Sequence, residues 1–299
     1  MCASGLKAIS LATAELSLGH RGLMVAGGME SLSNTPFTLR RGVTPYGGLK
    51  LTDSCNHDGL TDAYSGWHMG KCAEEMAVKL GIGRQEQDDY GIDSYRRADI
   101  AIKEGVFDEE IVPVMVKQGK KEVTVMEDEE VGRCNYNKFR TTPTYWGDTV
   151  GVGSSSKLAD GAAATMLVNS STLARYGLTP LARVVGYSDA AAKPTEWPTA
   201  PALGVKQLLE KQGLEVKDIS LWEINEAFAM VVLANSELLG LDLSKVNIHG
   251  GAIAVGHPFG MSGARITNHL VLSLEKGELG VATLCNGGGG AGSILVEKM

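Results

Sequence analysis

The sequence predicts an α/β fold of duplicated βαβαβαββ layers, with the first copy incomplete and a subdomain inserted into it. Three observations carry this. Residues 182–297 alternate strand-like and helix-like segments, the pattern of a layered α/β domain. A shift of 258 residues lays Ser4-Gly5 on Ser262-Gly263, Lys7 on Arg265, Gly19 on Gly277 and Gly22 on Gly280. The matches fall in order and on the same kinds of element, the mark of an internal repeat. Glycine is in excess, 38 of 299 residues against a typical ~7%. It shows no collagen period, so it belongs in tight turns and close backbone approaches.

Taken in order, residues 3–18 read as a helix, with apolar positions at Leu6, Ile9, Leu11 and Leu16 and with Gly19 as a C-cap. Residues 23–26 read as a buried strand that ends at Gly27-Gly28. The character then changes. Residues 34–70 are loop-rich, polar helices fall near 71–80 and 84–104, and the charges around Glu127–Glu130 read as a solvated face. Residues 32–150 are thus an inserted, largely surface subdomain. Residues 161–168 return as the last strand of the first repeat. The second repeat has strands at 182–187, 219–224, 246–248, 279–285 and 292–297, and helices at 202–212, 227–239 and 262–276. Its sheet is expected to be largely parallel, with right-handed crossovers. Residues 1–31 and 151–175 form a remnant of the N-terminal repeat, and 176–299 form the complete C-terminal one. The second copy has residues 182–257 ahead of its repeated helix, where the first has Met1 and Cys2. Most of the first repeat is therefore expected to be missing from the chain.

Composition excludes several function classes. No apolar run reaches the ~18 residues that a membrane helix needs, and no charged-then-apolar leader is visible. A net charge of -7 lacks the basic footprint of a nucleic-acid binder. Five cysteines with no CxxC pair argue against a disulfide framework or structural zinc, and for a reducing compartment.

Four segments carry chemistry. Cys2 stands at a helix N-terminus, where free N–H groups and the helix dipole favour a thiolate; a small buried hydrophobe is its competing reading. His257, in Gly-His-Pro-Phe-Gly, holds the place in the second repeat that Cys2 approaches in the first. Two such helix starts facing each other across a pseudo-twofold axis would pair a thiol with an imidazole, the arrangement of an activated sulfur nucleophile. A loop or capping histidine is the alternative, and His20, His57, His249 and His269 are read as structural. Cys285 opens Cys-Asn-Gly-Gly-Gly-Gly after a strand. The glycines fit neither nucleotide-loop pattern, but they let backbone N–H groups approach an oxyanion. Asn225 lies at another strand-to-helix junction, as a cap or as the holder of a water or carbonyl. Ligands gather at the carboxyl ends of strands in such folds, where all four segments converge.

These residues resemble the thiolase family, in its short-chain, mitochondrial-type acetoacetyl-CoA branch. The resemblance covers essentially the whole chain. It rests on Cys2-Ala-Ser-Gly, Ala26-Gly-Gly-Met-Glu-Ser31, His68-Met69-Gly70, Asn225-Glu-Ala-Phe228, Gly256-His-Pro through Gly263-Ala-Arg265, and Cys285-Asn-Gly-Gly-Gly. Phe259 marks the mitochondrial-type branch. The chain departs from the family pattern with Ser154, Lys157 and Ala159, where Asn, a small residue and Asn are usual. Family members also carry a longer segment before the nucleophile.

The resemblance implies a thiolase-like αβαβα fold and a reversible Claisen condensation of two acetyl-CoA to acetoacetyl-CoA plus CoA. Cys2 would be the acylated nucleophile. His257 would take its proton and then join an oxyanion hole with a water held by Asn225. Cys285 would move the α-proton, and the N–H groups of Cys2 and Gly287 would form a second oxyanion hole. The insertion would be a coenzyme A lid. His68, Met69 and Phe228 would line the pantetheine tunnel, with Tyr95, Arg133 and Lys138 at the nucleotide end and Ser156 nearby. No cofactor would be required, and a potassium ion would sit near Tyr95, Ser155 and Ile253. The implied state is a mitochondrial homodimer or homotetramer, with a cytoplasmic location as the alternative and with neither nucleic acid nor membrane as a partner. Two other readings stand beside it. One is a catalytically weak or inactive short isoform serving as a CoA-binding or hetero-oligomer subunit. The other is a ketoacyl-synthase-like enzyme, disfavoured because those sites pair histidines rather than adding a second cysteine.

Overall fold

The computed structural model describes residues 1–299. Helix α1 (Ser4–Ser17) buries Leu6, Ile9, Ala12 and Leu16, and Leu11 faces solvent. It stops where Gly19 takes φ +73°, a conformation that glycine adopts without Cβ strain. Strand β1 (Leu23–Ser31) follows. The insertion then supplies the short pair β2 (Phe37–Thr38) and β3 (Thr52–Asp53), helices α2 (Met69–Leu80) and α3 (Arg84–Lys103), the hairpin β4 (Val114–Gln118) and β5 (Lys121–Val125), and α4 (Tyr136–Phe139). Neither small antiparallel pair was expected: β2 and β3 lie in the stretch read as loop-rich, and β4 and β5 in a part of the insertion given no element.

Strand β6 (Asp160–Val168) returns to pair antiparallel with β1 in unbroken register, Leu23 opposite Val168 and Ser31 opposite Asp160. After α5 (Ser170–Tyr176) come β7 (Ala182–Ala191), α6 (Ala200–Gln212), β8 (Leu221–Ile224), α7 (Ala229–Leu239), α8 (Ala252–Val255), α9 (Phe259–Ser273), β9 (Leu279–Asn286) and β10 (Gly290–Lys298). The four-stranded sheet runs β7-β10-β9-β8.

Two expectations need correction. The sheet is not largely parallel: β7–β10 and β10–β9 are antiparallel, and only β8–β9 is parallel. The chain reverses through the glycine turn at 287–289, so β10 returns as a hairpin partner and not through a crossover. The strand expected at 246–248 is also absent. Val246 makes one bridge to Trp222, and Asn247 turns away at φ +47°. Its side chain replaces the missing strand. Asn247 Oδ1 accepts from Ile224 N–H and its Nδ2 donates to Ile224 C=O, both at 2.8 Å, which satisfies the edge of β8 as a ladder partner would.

The repeat has a physical counterpart. Helices α1 and α9 pack against each other through the residues that the 258-residue shift superimposes. A Cβ on Gly5 would lie 2.7 Å from the Gly260 carbonyl oxygen, and one on Gly263 would lie 2.7 Å from Leu6 N. The backbones touch because neither position carries a side chain. Leu6, Ile9, Leu270, Leu284 and Ile294 close the core around this contact, each at 1% exposure or less; each such burial contributes about 1.5–3 kcal/mol.

Gly263→Val should lower stability by about 2 kcal/mol or more, as backbone collision does in a packed core. Gly132→Ala, in open space, should stay within ~0.5 kcal/mol. Urea midpoints decide, and an unshifted Gly263→Val midpoint contradicts the reciprocal contact.

Candidate active site

The site has a sulfur side and an imidazole side. Cys2 is half-buried at the start of α1. The Ala3 N–H donates to Asn286 Oδ1 at 3.3 Å, which ties the helix start to the β9–β10 turn. That turn holds Gly288 and Gly289 at φ +88° and +92°, and a Cβ on Gly289 would press into the Ala192 carbonyl. Only glycines follow this path, and it aims the Gly287 N–H at the Cys2 sulfur. Burial pushes the Cys2 thiol up, while the N–H groups of Cys2 and Gly287 act against that. Cys285, at the end of β9, is 2% exposed. Burial raises its thiol well above the ordinary cysteine range, and the neighbouring Cys2 raises it further. The two sulfurs are thus close enough for a charge on one to penalise a charge on the other.

Asn225 and Cys285 sit at the carboxyl ends of adjacent parallel strands. Ile224 pairs with Thr283, and the Asn225 N–H extends the ladder to the Thr283 carbonyl at 3.1 Å. Asn225 Nδ2 lies 3.4 Å from His257 Nε2. On the other side of the ring, His257 Nδ1 lies 2.6 Å from Ser262 Oγ, which donates to the Pro258 carbonyl at 3.1 Å. With its proton so committed, the hydroxyl accepts from Nδ1–H. That leaves the Nε2 lone pair to accept from Asn225 Nδ2–H. Burial lowers the His257 pKa to about 4, so the imidazole is neutral at physiological pH and available as a base. The two sides meet where Ser4, two residues past Cys2 and first in α1, faces Gly260, three residues past His257 and in α9.

The residue after Asn225 is Glu226. This buried carboxylate accepts from Tyr90 Oη (2.8 Å), Ser94 Oγ (2.7 Å), Ile253 N (3.0 Å) and Asn247 Nδ2 (3.2 Å). It joins the insertion helix α3 to the second repeat.

The remaining candidates divide. His68 caps α2, accepting from Gly70 N at 3.0 Å, and stacks on Trp146 at 4.9 Å. Met69, Phe228 and Cys285 share one apolar cluster, with Trp146 edge-on to Phe228 at 6.0 Å. Ser156 donates its N–H to the Ala227 carbonyl at 3.1 Å. Arg133 is exposed and paired with Glu129 and Glu130, and Lys138 is exposed. Tyr95 is 2% exposed and donates to Glu130 at 3.0 Å; so buried, it offers no surface to a nucleotide arriving from solvent. His249 and His269 bond each other at 3.0 Å in a separate cluster with Glu110 and Arg265.

The place expected to hold potassium does not fit the ion. Ile253 is fully buried beside Tyr95. The Ser155 carbonyl, with those of Val152 and Gly153, already accepts from Lys157 Nζ.

Three contributors lay outside the expected set: Ser262, Glu226 and Lys157. Ser262 was readable, five residues past His257 and inside the helix that follows it. Glu226 was not, because its partners come from segments far apart in sequence.

Residues 1–171 match the family described as thiolase, N-terminal domain, and residues 178–298 match thiolase, C-terminal domain. The Xenopus laevis mitochondrial acetyl-CoA acetyltransferase A is 50% identical over 303 aligned positions, covering 100% of this chain and 72% of that protein. The human mitochondrial acetyl-CoA acetyltransferase is 49% identical, with 100% and 71% covered. Among solved structures, an Ascaris suum thiolase in complex with coenzyme A superposes at TM-score 0.96 with 43% identity, covering 100% of this chain and 78% of that one. Human mitochondrial 3-ketoacyl-CoA thiolase superposes at 0.95 with 35% identity, covering 100% and 77%.

The raised thiol fixes a pH profile. Iodoacetamide alkylation of Cys2 should climb about tenfold per pH unit from pH 6 to pH 9 without levelling, with Cys285 labelled more slowly. A plateau below pH 8 in peptide-resolved rates would mean a preformed thiolate and contradict the neutral thiol–imidazole pair.

Proposed function

This chain belongs to the thiolase family, and on that premise we propose that it is an acetyl-CoA acetyltransferase. It joins two acetyl-CoA into acetoacetyl-CoA and CoA, and runs the reverse thiolysis, through an acetyl-Cys2 intermediate. The observation that carries the reading is a helix-end thiol, Cys2, close to a second buried thiol, Cys285, at the end of the strand beside the one that Asn225 follows, with Asn225 bonded to the neutral imidazole of His257.

In the first half-reaction His257 Nε2 takes the Cys2 proton, and the thiolate attacks the thioester carbonyl. The N–H groups of Cys2 and Gly287 hold the developing oxyanion, and CoA leaves as its thiol with that proton. In the second, Cys285 passes its proton to His257 Nε2 and as thiolate removes an α-proton from a second acetyl-CoA. The enolate oxygen rests on a water held by Asn225 and on Nε2–H of His257. The enolate carbon attacks acetyl-Cys2, and Cys2 departs as the proton returns. Two oxyanions form in turn, which is why two donor sets serve one pocket.

Coenzyme A thioesters are the substrates, and no further cofactor takes part in these steps. Residues 32–150 serve as the lid, with His68, Met69 and Phe228 along the pantetheine path and Arg133, Lys138 and Ser156 toward its phosphates. Residues 1–31 with 151–175, and 176–299, are the two repeats that it covers. Mitochondrial location goes with the relatives' names. Assembly as a homodimer or homotetramer is supported by Val25, Met29 and Met166, apolar and 60–71% exposed on the β1–β6 pair.

Cys2→Ser should lower turnover with acetoacetyl-CoA and CoA by about 10³-fold or more. Cys285→Ala should still take up acetyl on Cys2 but lose exchange of acetyl-CoA methyl protons with deuterated solvent. Retained exchange in Cys285→Ala would remove Cys285 from the mechanism. Coenzyme A binding without turnover in the unaltered chain would favour the inactive-subunit reading instead.

A further inference from the structure

The loop between the insertion and β6 turns three carbonyl oxygens onto one point. Those of Val152, Gly153 and Ser155 lie 3.0, 3.3 and 2.8 Å from Lys157 Nζ. The ammonium has three N–H bonds, and all three are used. The Tyr95 ring lies beside it, with its centroid 5.9 Å away, and the Tyr95 hydroxyl is bonded to Glu130. Three carbonyl dipoles pointed at one another in a half-buried space repel unless a cation sits among them. Alkali ions answer such cages in other proteins. Here the cation is part of the chain.

The loop so held is wired into the catalytic groups. The Lys157 carbonyl accepts the His257 N–H at 2.8 Å, the Ser154 carbonyl accepts the Ala229 N–H at 2.8 Å, and the Ser156 N–H donates to the Ala227 carbonyl at 3.1 Å. Ser155 bridges Phe228. One residue thus closes the cage with its side chain and fixes the imidazole's backbone with its own carbonyl. The neighbouring bonds hold the segment that follows Asn225.

We propose that Lys157 is a tethered substitute for a monovalent metal ion, closing the carbonyl cage of Val152, Gly153 and Ser155 and making the acyl-transfer site independent of potassium. Lys157 is a positioning residue: it touches no reacting atom and acts through His257 and the Ala227–Ala229 backbone. Because the tether keeps the ammonium at high local concentration, the cage is filled whatever salt is present. Burial lowers the Lys157 pKa, and the nearby Glu130 carboxylate acts against that shift; the three carbonyl contacts hold the ammonium in place.

The activity arm rests on the acyltransferase reading, and the melting arm does not. The full chain and its Lys157→Ala and Lys157→Met variants are compared in KCl, NaCl, LiCl and NH4Cl at matched ionic strength, by kcat/KM and by thermal midpoint. The unaltered protein should give the same values in all four salts. Lys157→Ala, which empties the cage, should lose about tenfold or more in kcat/KM in NaCl. KCl and NH4Cl should restore much of that loss and raise the melting midpoint, and LiCl should not. Lys157→Met, whose uncharged stem still blocks the cage, should stay impaired in every salt. Potassium activation of the unaltered protein would overturn the proposal. So would a Lys157→Ala variant whose activity and melting ignore the choice of cation, or one that fails to fold in KCl as it does in NaCl. If none of the proteins turns over yet the melting pattern holds, the tethered cation stands and the acyltransferase reading falls.

Discussion

The backbone contact between α1 and α9 is the constraint on which the site depends. Gly5 meets Gly260, and Gly263 meets Leu6, at distances that leave no room for a Cβ. Helices normally keep axes 8–10 Å apart according to the side chains between them, and removing those side chains brings two N-termini into one place. One N-terminus carries Cys2 and the other follows His257. A bulkier residue at the contact would therefore widen the gap between the two helix starts while leaving each helix intact. The same glycines explain the repeat at the sequence level, since the two members of a symmetric contact face the same steric demand.

Around that contact the groups sit in their uncharged forms. Both thiols are raised by burial, Cys285 also by the neighbouring Cys2, and the imidazole is lowered by burial alone. A neutral site costs little to keep dry. In the proposed mechanism charge appears only when a thioester carbonyl or enolate is there to receive it, on the amides of Cys2 and Gly287 in one step and on Asn225 and His257 in the other. Ser262 and the Pro258 carbonyl settle which ring nitrogen carries the proton, so the base does not need to change tautomer before it works.

Much of this was legible from residues alone. The helix at 4–17 followed from Leu6, Ile9 and Leu16 at helical spacing, and Cys2, Asn225, His257 and Cys285 each stood at a junction where strand-to-helix folds collect ligands. The sheet's direction was not legible. A strand followed by a glycine turn and another strand is compatible with alternation, and only hydrogen-bond register shows that β10 folds back on β9. Asn247 escaped because its role is to replace a strand with a side chain, which no periodicity encodes. Glu226 escaped because its four partners lie on segments separated by up to 136 residues. Lys157 was visible as a residue out of pattern, but its meaning depends on three backbone oxygens whose convergence is a property of the folded loop.

The sulfur that accepts the acyl group can be identified directly. Brief incubation of the full chain with acetyl-CoA, acid quenching and peptide mass spectrometry should find an acetyl thioester on the peptide containing Cys2 and none on that containing Cys285, with the adduct discharged by added CoA. Acetyl on Cys285, or a Cys2 adduct that CoA cannot remove, would contradict a catalytic pair in which one thiol carries the acyl group and the other only moves the proton.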